Sequence, residues 1–517
     1  MFLELPAEIL LLIVSNLDET SIFLLRLTHS TLKTIVDHNP SVVYRSIAFH
    51  KGYLNIPTAS DAGITAGKLE PLRDFDAMDE ELRFILKNQK ELYSNLRQLN
   101  GWKEFVKKRR RLAKNWIEGK YRQKWIVTDR RRVWRFKIDH SGDHPLLILS
   151  GDGGVIQAFD LRPDIPTCVW TSPEVGRFPH VEVSQGYIIT ASGKGFMVWR
   201  RKDVILPPDS RGVRPETESE DLFILHVHWK PPASGRCFKA RYPYLAVGSQ
   251  DAIFLYDFAR RELVETIRHD EPVRNDYIEL SETKVFLCSV PSIFVYHRGM
   301  RESEPMERRM FQFRGGRGED WNALHHWDGH VIATSGLGTL LWNPSIDSYD
   351  PELSVCLDTG GHIWNVCVEN GRCVFVVEFA RENQQWYQFH FLFPLRARWS
   401  SLDEFKELDI RIILLSGGSM GPNEISRLEM TSDAILTTMS TKQFRDDAET
   451  RALLQRARLH WHSNSRTNEE LGIAFDGLDC PTSFAGNPES GFWSSPDNED
   501  MPENLQTADA MLVHDFS

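Results

Sequence analysis

Apolar and polar positions over residues 5–36 follow a helical period. Ile9, Ile13 and Leu17 stand four apart, with Leu10 and Val14 beside them, which makes one broad apolar stripe. Pro6 suits a first helical turn, where its missing N–H has no partner to lose. Glu8 in the same turn favours the helix dipole. Asp18 and Ser21 suit the end of this helix and the capping of a second, which carries Phe23, Leu24 and Leu27. Leu32, Ile35 and Val36 mark a third. Three helices this short cannot bury so much apolar surface among themselves. The surplus reads as a protein-binding face, with a plain helical cap on the next domain as the alternative.

Pro57, Gly63, Gly67 and Pro71 give residues 54–74 the composition of a linker. The helical period returns at Leu82, Ile85, Leu86, Leu92, Leu96 and Leu99, as expected of a helical spacer. Residues 102–116 are basic and interleaved with aromatics. The run Lys107 to Arg111 has three readings: a nuclear localisation signal, a phosphate- or RNA-binding patch, or a solvated helix face. The last is preferred, with Trp102, Phe105, Leu112 and Trp116 packing on the other side.

Beyond residue 120 the period changes to two, and a unit repeats. Residues 147–160 hold an apolar run, a Gly/Asp turn and an alternating run closing on Phe159-Asp160, a hairpin pattern. It recurs at 188–199, 245–257, 285–296 and 331–343, and with a longer turn at 374–389. The closing aromatics Phe159 and Trp199 lie 40 residues apart, Tyr256 and Tyr296 also 40, and Tyr296 and Trp342 46. Such intervals match one four-stranded propeller blade per repeat. Five or six blades are readable and 411–439 offers another. Seven is the expected count, with a strand near 124–128 closing the ring; a β-sandwich assembly is the alternative fold.

The net charge of −11 argues against wholesale nucleic-acid binding, and charge is unevenly spread, with a basic stretch near 103–137 and an acidic tail from 461 that reads as disordered. Seven cysteines without a CxxC pair favour reduced thiols, hence cytoplasm and/or nucleus, over zinc or disulfides. The chain's start lacks a basic n-region and cleavage site, and no apolar run is long enough to span a membrane, so neither signal peptide nor membrane contact is expected. Walker, HExxH, GxSxG and GxGxxG patterns are absent. Gly315-Gly-Arg-Gly318 reads as a surface turn, and His226-x-His228 and His325-His326 as packing histidines. No catalytic residue, metal or cofactor is expected.

Leu5-Pro6-x-Glu8-Ile9-Leu10-x-x-Ile13-x-x-x-Leu17, followed by Leu24-Leu25-Arg26-Leu27 and Tyr44-Arg45, resembles the F-box over roughly residues 3–50. Thr28-His29-Ser30 and Tyr44 depart from the family's usual Val-[Cys/Ser]-[Lys/Arg] and Trp. The resemblance implies docking on a Skp-type adaptor, and through it a cullin, in an SCF ubiquitin ligase. The implied adaptor contacts are Leu5, Pro6, Ile9, Leu10, Ile13 and Leu17, with Leu24, Leu25 and Leu27 contacting or packing beside them. Leu112-Ala-Lys-Asn115-Trp116 is similar to a segment that precedes the first blade in F-box proteins with WD-repeat propellers. Ser150-Gly151-Asp152 through Phe159-Asp160 resembles the third-to-fourth-strand element of a WD repeat, and Gly361-His362 its opening dipeptide.

The expected architecture is therefore multidomain: an α-helical F-box at 1–50, a linker and helical spacer at 51–120, an all-β WD-repeat-like propeller at 121–460 and an acidic tail at 461–517. The implied role is a non-catalytic substrate adaptor that recruits a protein, phosphorylated or not, for ubiquitination. In WD-repeat F-box proteins substrate often enters through arginines, and Arg177, Arg236, Arg241, Arg274 and Arg314 are the loop arginines nominated here without a motif match. A propeller scaffold unconnected with ubiquitin and an enzyme with a central pocket are the rivals.

Overall fold

In the computed structural model the chain is described from Glu4 to Ser517. The longer undescribed stretches are 54–74, 205–220, 300–309, 315–320, 345–352, 381–385, 421–426, 440–459, 464–469 and 475–509. Gly315 to Gly318 therefore lies outside the described residues, as do Arg236 and Arg274. The chain divides into two compact units, one of residues 1–122 with the short segments 431–434 and 515–517, the other of 123–430 and 435–514.

The first unit is helical. It contains α1 (Ala7–Ser15), α2 (Glu19–Thr28), α3 (Ser30–His38), α4 (Pro40–His50), α5 (Phe75–Lys87) and α6 (Trp102–Glu118). Local chemistry sets the helix starts. The Ser21 N–H donates to the Asp18 carboxylate at 2.8 Å to cap α2, and Pro40 opens α4. Val14, Ile22, Val36, Val43 and Ile47 share one core with Leu82, Ile85, Leu86, Leu96, Trp102 and Phe105. Residues 75–118, within the stretch read as linker and helical spacer, supply the other half of this core, because the first four helices are too short to bury their apolar sides alone. Arg45 pairs with Glu81 across the two halves.

Trp102, Phe105, Leu112 and Trp116 of α6 are buried while Lys103, Lys107, Arg110, Arg111 and Lys114 are exposed, but the run is not wholly solvated: Lys108 is half-buried and Arg109 buried. The end of α6 holds the two late segments. The Trp116 indole N–H donates to the Ser432 carbonyl at 3.2 Å, and its ring stacks on Phe516 at 3.8 Å. Asn115 Nδ2 donates to the Phe516 carbonyl at 2.9 Å. The Asp433 carboxylate accepts the N–H groups of Leu92 and Tyr93 at 2.8 and 2.7 Å. Phe516→Leu keeps an apolar side chain but removes the stacked pair, and should cost about 1 kcal/mol. A fall of a few degrees in the melting temperature of the full chain would show it.

The second unit is a β-propeller. Six sheets are each built on four antiparallel strands consecutive in the chain. The first of them runs Val133–Asp139, Leu146–Gly151, Ile156–Asp160, Thr167–Thr171, with Leu147 opposite Phe159. A further four-stranded sheet is composite: Leu428–Met430, Ala434–Met439, Ala510–Asp515 and Arg122–Val127, in that order. Seven like blades were expected. Six contiguous blades and this composite sheet are what the chain forms, and the strand foreseen near 124–128 is the composite sheet's outer member. The first strands of neighbouring sheets contact one another in a closed cycle, so they line a central channel.

The six repeated hairpins occupy the second and third positions of their sheets, one earlier than the WD-repeat comparison placed them. Their alternating residues are buried between sheets; Trp342, Phe375 and Phe393, for example, lie in one cluster. The stretch from 461 is not uniformly without structure. His460–Ser463 and Glu470–Ala474 extend the fifth blade beyond Val355–Asp358, with Cys356 opposite His462, and Ala510–Asp515 enters the composite sheet. Met511 and Val513 are fully buried there, which the acidic composition around them obscured.

Candidate functional sites

Two places stand out, one in each unit. In the helical unit a group of large apolar side chains remains exposed although the core is complete: Leu5, Ile9, Leu12, Phe23, Leu24 and Leu27, the last 69% exposed. These six come from α1, α2 and the turn before α1; Phe49, Phe84 and Ile117 are exposed singly on α4, α5 and α6. Pro6 is exposed beside them, and its carbonyl accepts the first N–H groups of α1, from Ile9 and Leu10, at 3.0 Å each. Of the other nominated residues, Leu10 is buried and Ile13 half-buried; Leu17 and Leu25 are half-buried against the core. These position the face rather than form its outer surface. Leu12 and Phe23 belong to the face but were not nominated. The family motif leaves them unspecified, and helical spacing alone would have found them.

In the propeller, the first strands are Val133–Asp139, Val181–Ser184, Cys237–Arg241, Tyr277–Leu280, Trp321–Trp327, His362–Glu369 and Leu428–Met430. Side chains two apart point the same way on a strand. The channel is therefore layered, and one level holds Lys137, Glu182, Lys239, Glu279, His325, Cys367 and Glu429. Lysine–carboxylate ion pairs and histidine–carboxylate contacts join several of them. Lys137 Nζ lies 2.7 Å from Glu429, and Lys239 Nζ lies 3.6 Å from Glu182 and 3.2 Å from Glu279. His325 Nδ1 is 3.7 Å from Glu279, and His180 Nε2 is 3.1 Å from Glu182.

Burial opposes every charge in this level, and the neighbours decide which survive. Glu429 and Glu182 overcome burial to hold the Lys137 ammonium above the ordinary lysine value, and Glu182 and Glu279 do the same for Lys239. Burial would raise the Glu182 carboxyl, yet Lys239, His180 and Lys137 hold it well below the usual range. For Glu279 burial wins and the carboxyl is pushed up. Burial, with nearby Lys239 and Lys137, keeps His325 neutral, and it drives His180 down to about 4 and the Cys367 thiol up to about 12.

A cavity of about 250 Å³ spans this level and the next, lined among others by Arg135, Tyr277 and Arg427 and by Lys137, His325 and Glu429 of the charged level itself. Arg427 is committed: its Nε donates to the Trp134 carbonyl at 2.8 Å and its guanidinium lies 5.0 Å from the Trp134 ring centre. Arg135 is half-buried and shows no side-chain partner among the described residues.

Of the nominated arginines only Arg177 and Arg241 have described side chains. Arg177 is exposed in a loop, Arg241 pairs with Glu282 at 3.0 Å, and the side chain of Arg314 lies outside the described residues. Arg135-x-Lys137 and Arg427-x-Glu429 carried the missing signal, alternating charges on strands whose inward direction only ring closure reveals. His226 Nε2 meets the Phe258 carbonyl at 2.9 Å, and no metal-binding group of three or more occurs among the described residues. Nor is any described helix long and apolar enough to cross a membrane. Cys237, Cys288, Cys356, Cys367 and Cys373 are buried free thiols.

Residues 2–44 match the family model of the F-box domain. The chain thus carries an F-box domain ahead of a β-propeller. A comparison with curated proteins gives no match. Among solved structures the chain is similar to a computationally designed protein, Ika8, at 8% identity and TM-score 0.38, covering 60% of this chain and 95% of that one. Saccharomyces cerevisiae Sqt1 matches at 12% identity and TM-score 0.38, over 67% of this chain and 86% of that one. Chaetomium thermophilum Raptor matches at 12% and 0.43, over 80% of this chain and 37% of that one.

Proposed function

We propose that the protein is the substrate receptor of an SCF-type ubiquitin ligase. The α1–α2 face docks on a Skp-type adaptor and so joins a cullin, and the propeller channel holds a segment of the protein to be modified. The exposed apolar face carries this reading. A finished core that still leaves six large apolar side chains of α1, α2 and the turn before α1 in water calls for a partner of matching surface. The F-box match supports an adaptor as that partner. Transfer chemistry then belongs to other subunits, and this chain contributes proximity: a tethered substrate meets the charged ubiquitin carrier at high effective concentration.

Full-length protein mixed with a recombinant Skp-type adaptor and cullin should coelute from gel filtration as one complex. The double variant Leu5→Ala/Pro6→Ala should elute alone. A full-length protein that stays free of the adaptor would sink the ligase reading and leave a propeller scaffold.

A further inference from the structure

The channel also indicates what charge its ligand carries, an inference that rests on the receptor reading above. Among the described residues of the two layers, four side chains are cationic (Arg135, Lys137, Lys239 and Arg427) and three are carboxylates (Glu182, Glu279 and Glu429). Burial keeps His180 and His325 uncharged, and Cys367 and Tyr277 stay protonated. Cations thus outnumber carboxylates, the more so because burial pushes the Glu279 carboxyl up.

The location of the surplus is specific. Both lysines are consumed by carboxylates, and Arg427 is turned onto Trp134. Arg135 remains, half-buried on the cavity wall with its planar set of N–H donors unmet among the described residues.

We infer that the cavity takes a single carboxylate, the side chain of a Glu or Asp in an extended acidic segment, held by a two-pronged hydrogen bond from Arg135. Arg135 is the one cation of the two layers that meets neither a carboxylate nor a ring among the described residues, and the geometry of a single carboxylate matches its guanidinium fork. The volume of about 250 Å³ admits one side chain with its flanking backbone.

The test uses full-length protein and three probes at constant ionic strength: N-acetylglutamate methylamide, its glutamine analogue and N-acetylphosphoserine methylamide. Binding is read by ligand-observed NMR. The glutamate probe should bind about tenfold more tightly than either of the others, a difference of one factor of ten in the dissociation constant. Arg135→Gln should remove that preference, whereas Arg177→Gln should retain it. Tighter binding of phosphoserine that depends on Arg135 overturns the charge class while leaving the channel as the site. Binding that ignores Arg135→Gln, or no binding of any probe at tens of millimolar, overturns the proposal. Coelution with the adaptor is measured separately, so failure here and failure of the receptor reading are told apart.

Discussion

Leu24→Asp/Leu27→Asp should weaken adaptor binding at least about a hundredfold while the melting temperature of the free protein stays within about a degree. Both leucines lie on α2 with most of their surface in water, Leu24 at 54% and Leu27 at 69% exposure. Their removal therefore takes little from the core formed by Val14, Ile22, Val43 and Ile47. In a complex the balance differs. Burying a leucine contributes about 1.5–3 kcal/mol, and two aspartates would bring unpaired charges into an apolar contact. Ile22→Asp, one position before Phe23 but almost fully buried, should instead unfold the helical unit. Isothermal titration against the adaptor, with circular dichroism of each variant, separates a lost contact from a lost fold. Equal affinity of wild type and the Leu24/Leu27 variant would move the adaptor contact away from this face.

What was readable in advance follows from how local each signal is. The F-box helices declare themselves through period, a capping Asp18 and a leading Pro6, all within a few residues of one another. The blade hairpins do so because a turn and two alternating strands fit in fourteen residues or so. The first strand of each blade was much harder to see. Its inward side chains are Lys, Glu, His or Arg rather than aliphatic, so Arg135-Phe136-Lys137 reads as part of a basic surface run. Only when seven such strands close on one another do those charges acquire partners. For the same reason loop arginines were nominated while Arg135 and Arg427 were not. The composite sheet joins residues 122–127 to 510–515, a pairing no local pattern announces, and Phe516 sits just beyond it against Trp116.

The charged level of the channel should be the most sensitive point of the propeller. Lys239→Met removes the one cation shared by Glu182 and Glu279, both more than nine-tenths buried. Breaking a buried pair from one side costs about 3–5 kcal/mol, because Glu279 loses its counter-charge and Glu182 keeps only the more distant Lys137. The loss should appear as a large fall in the chemical-denaturation midpoint of the full chain. Its pH dependence is also set. Although burial pushes against ionisation, the Glu182 carboxyl is held below its ordinary 4.5, so its stabilisation is complete above that value and fades as pH falls further. Lys239 is held above its ordinary 10.5, so its share is complete below that value and is lost as pH climbs through the raised one. Both contributions are complete between these limits, while Glu279, raised by burial, adds stability as pH falls toward its ordinary 4.5. In Lys239→Met the alkaline limb should flatten, and Glu279, already pushed up by burial, should take a proton nearer neutrality. The variant should then regain part of its stability as pH is lowered toward the ordinary carboxylate range, by more than wild type gains there. A Lys239→Met variant as stable as wild type at neutral pH would show instead that water reaches this level and screens the carboxylates unaided.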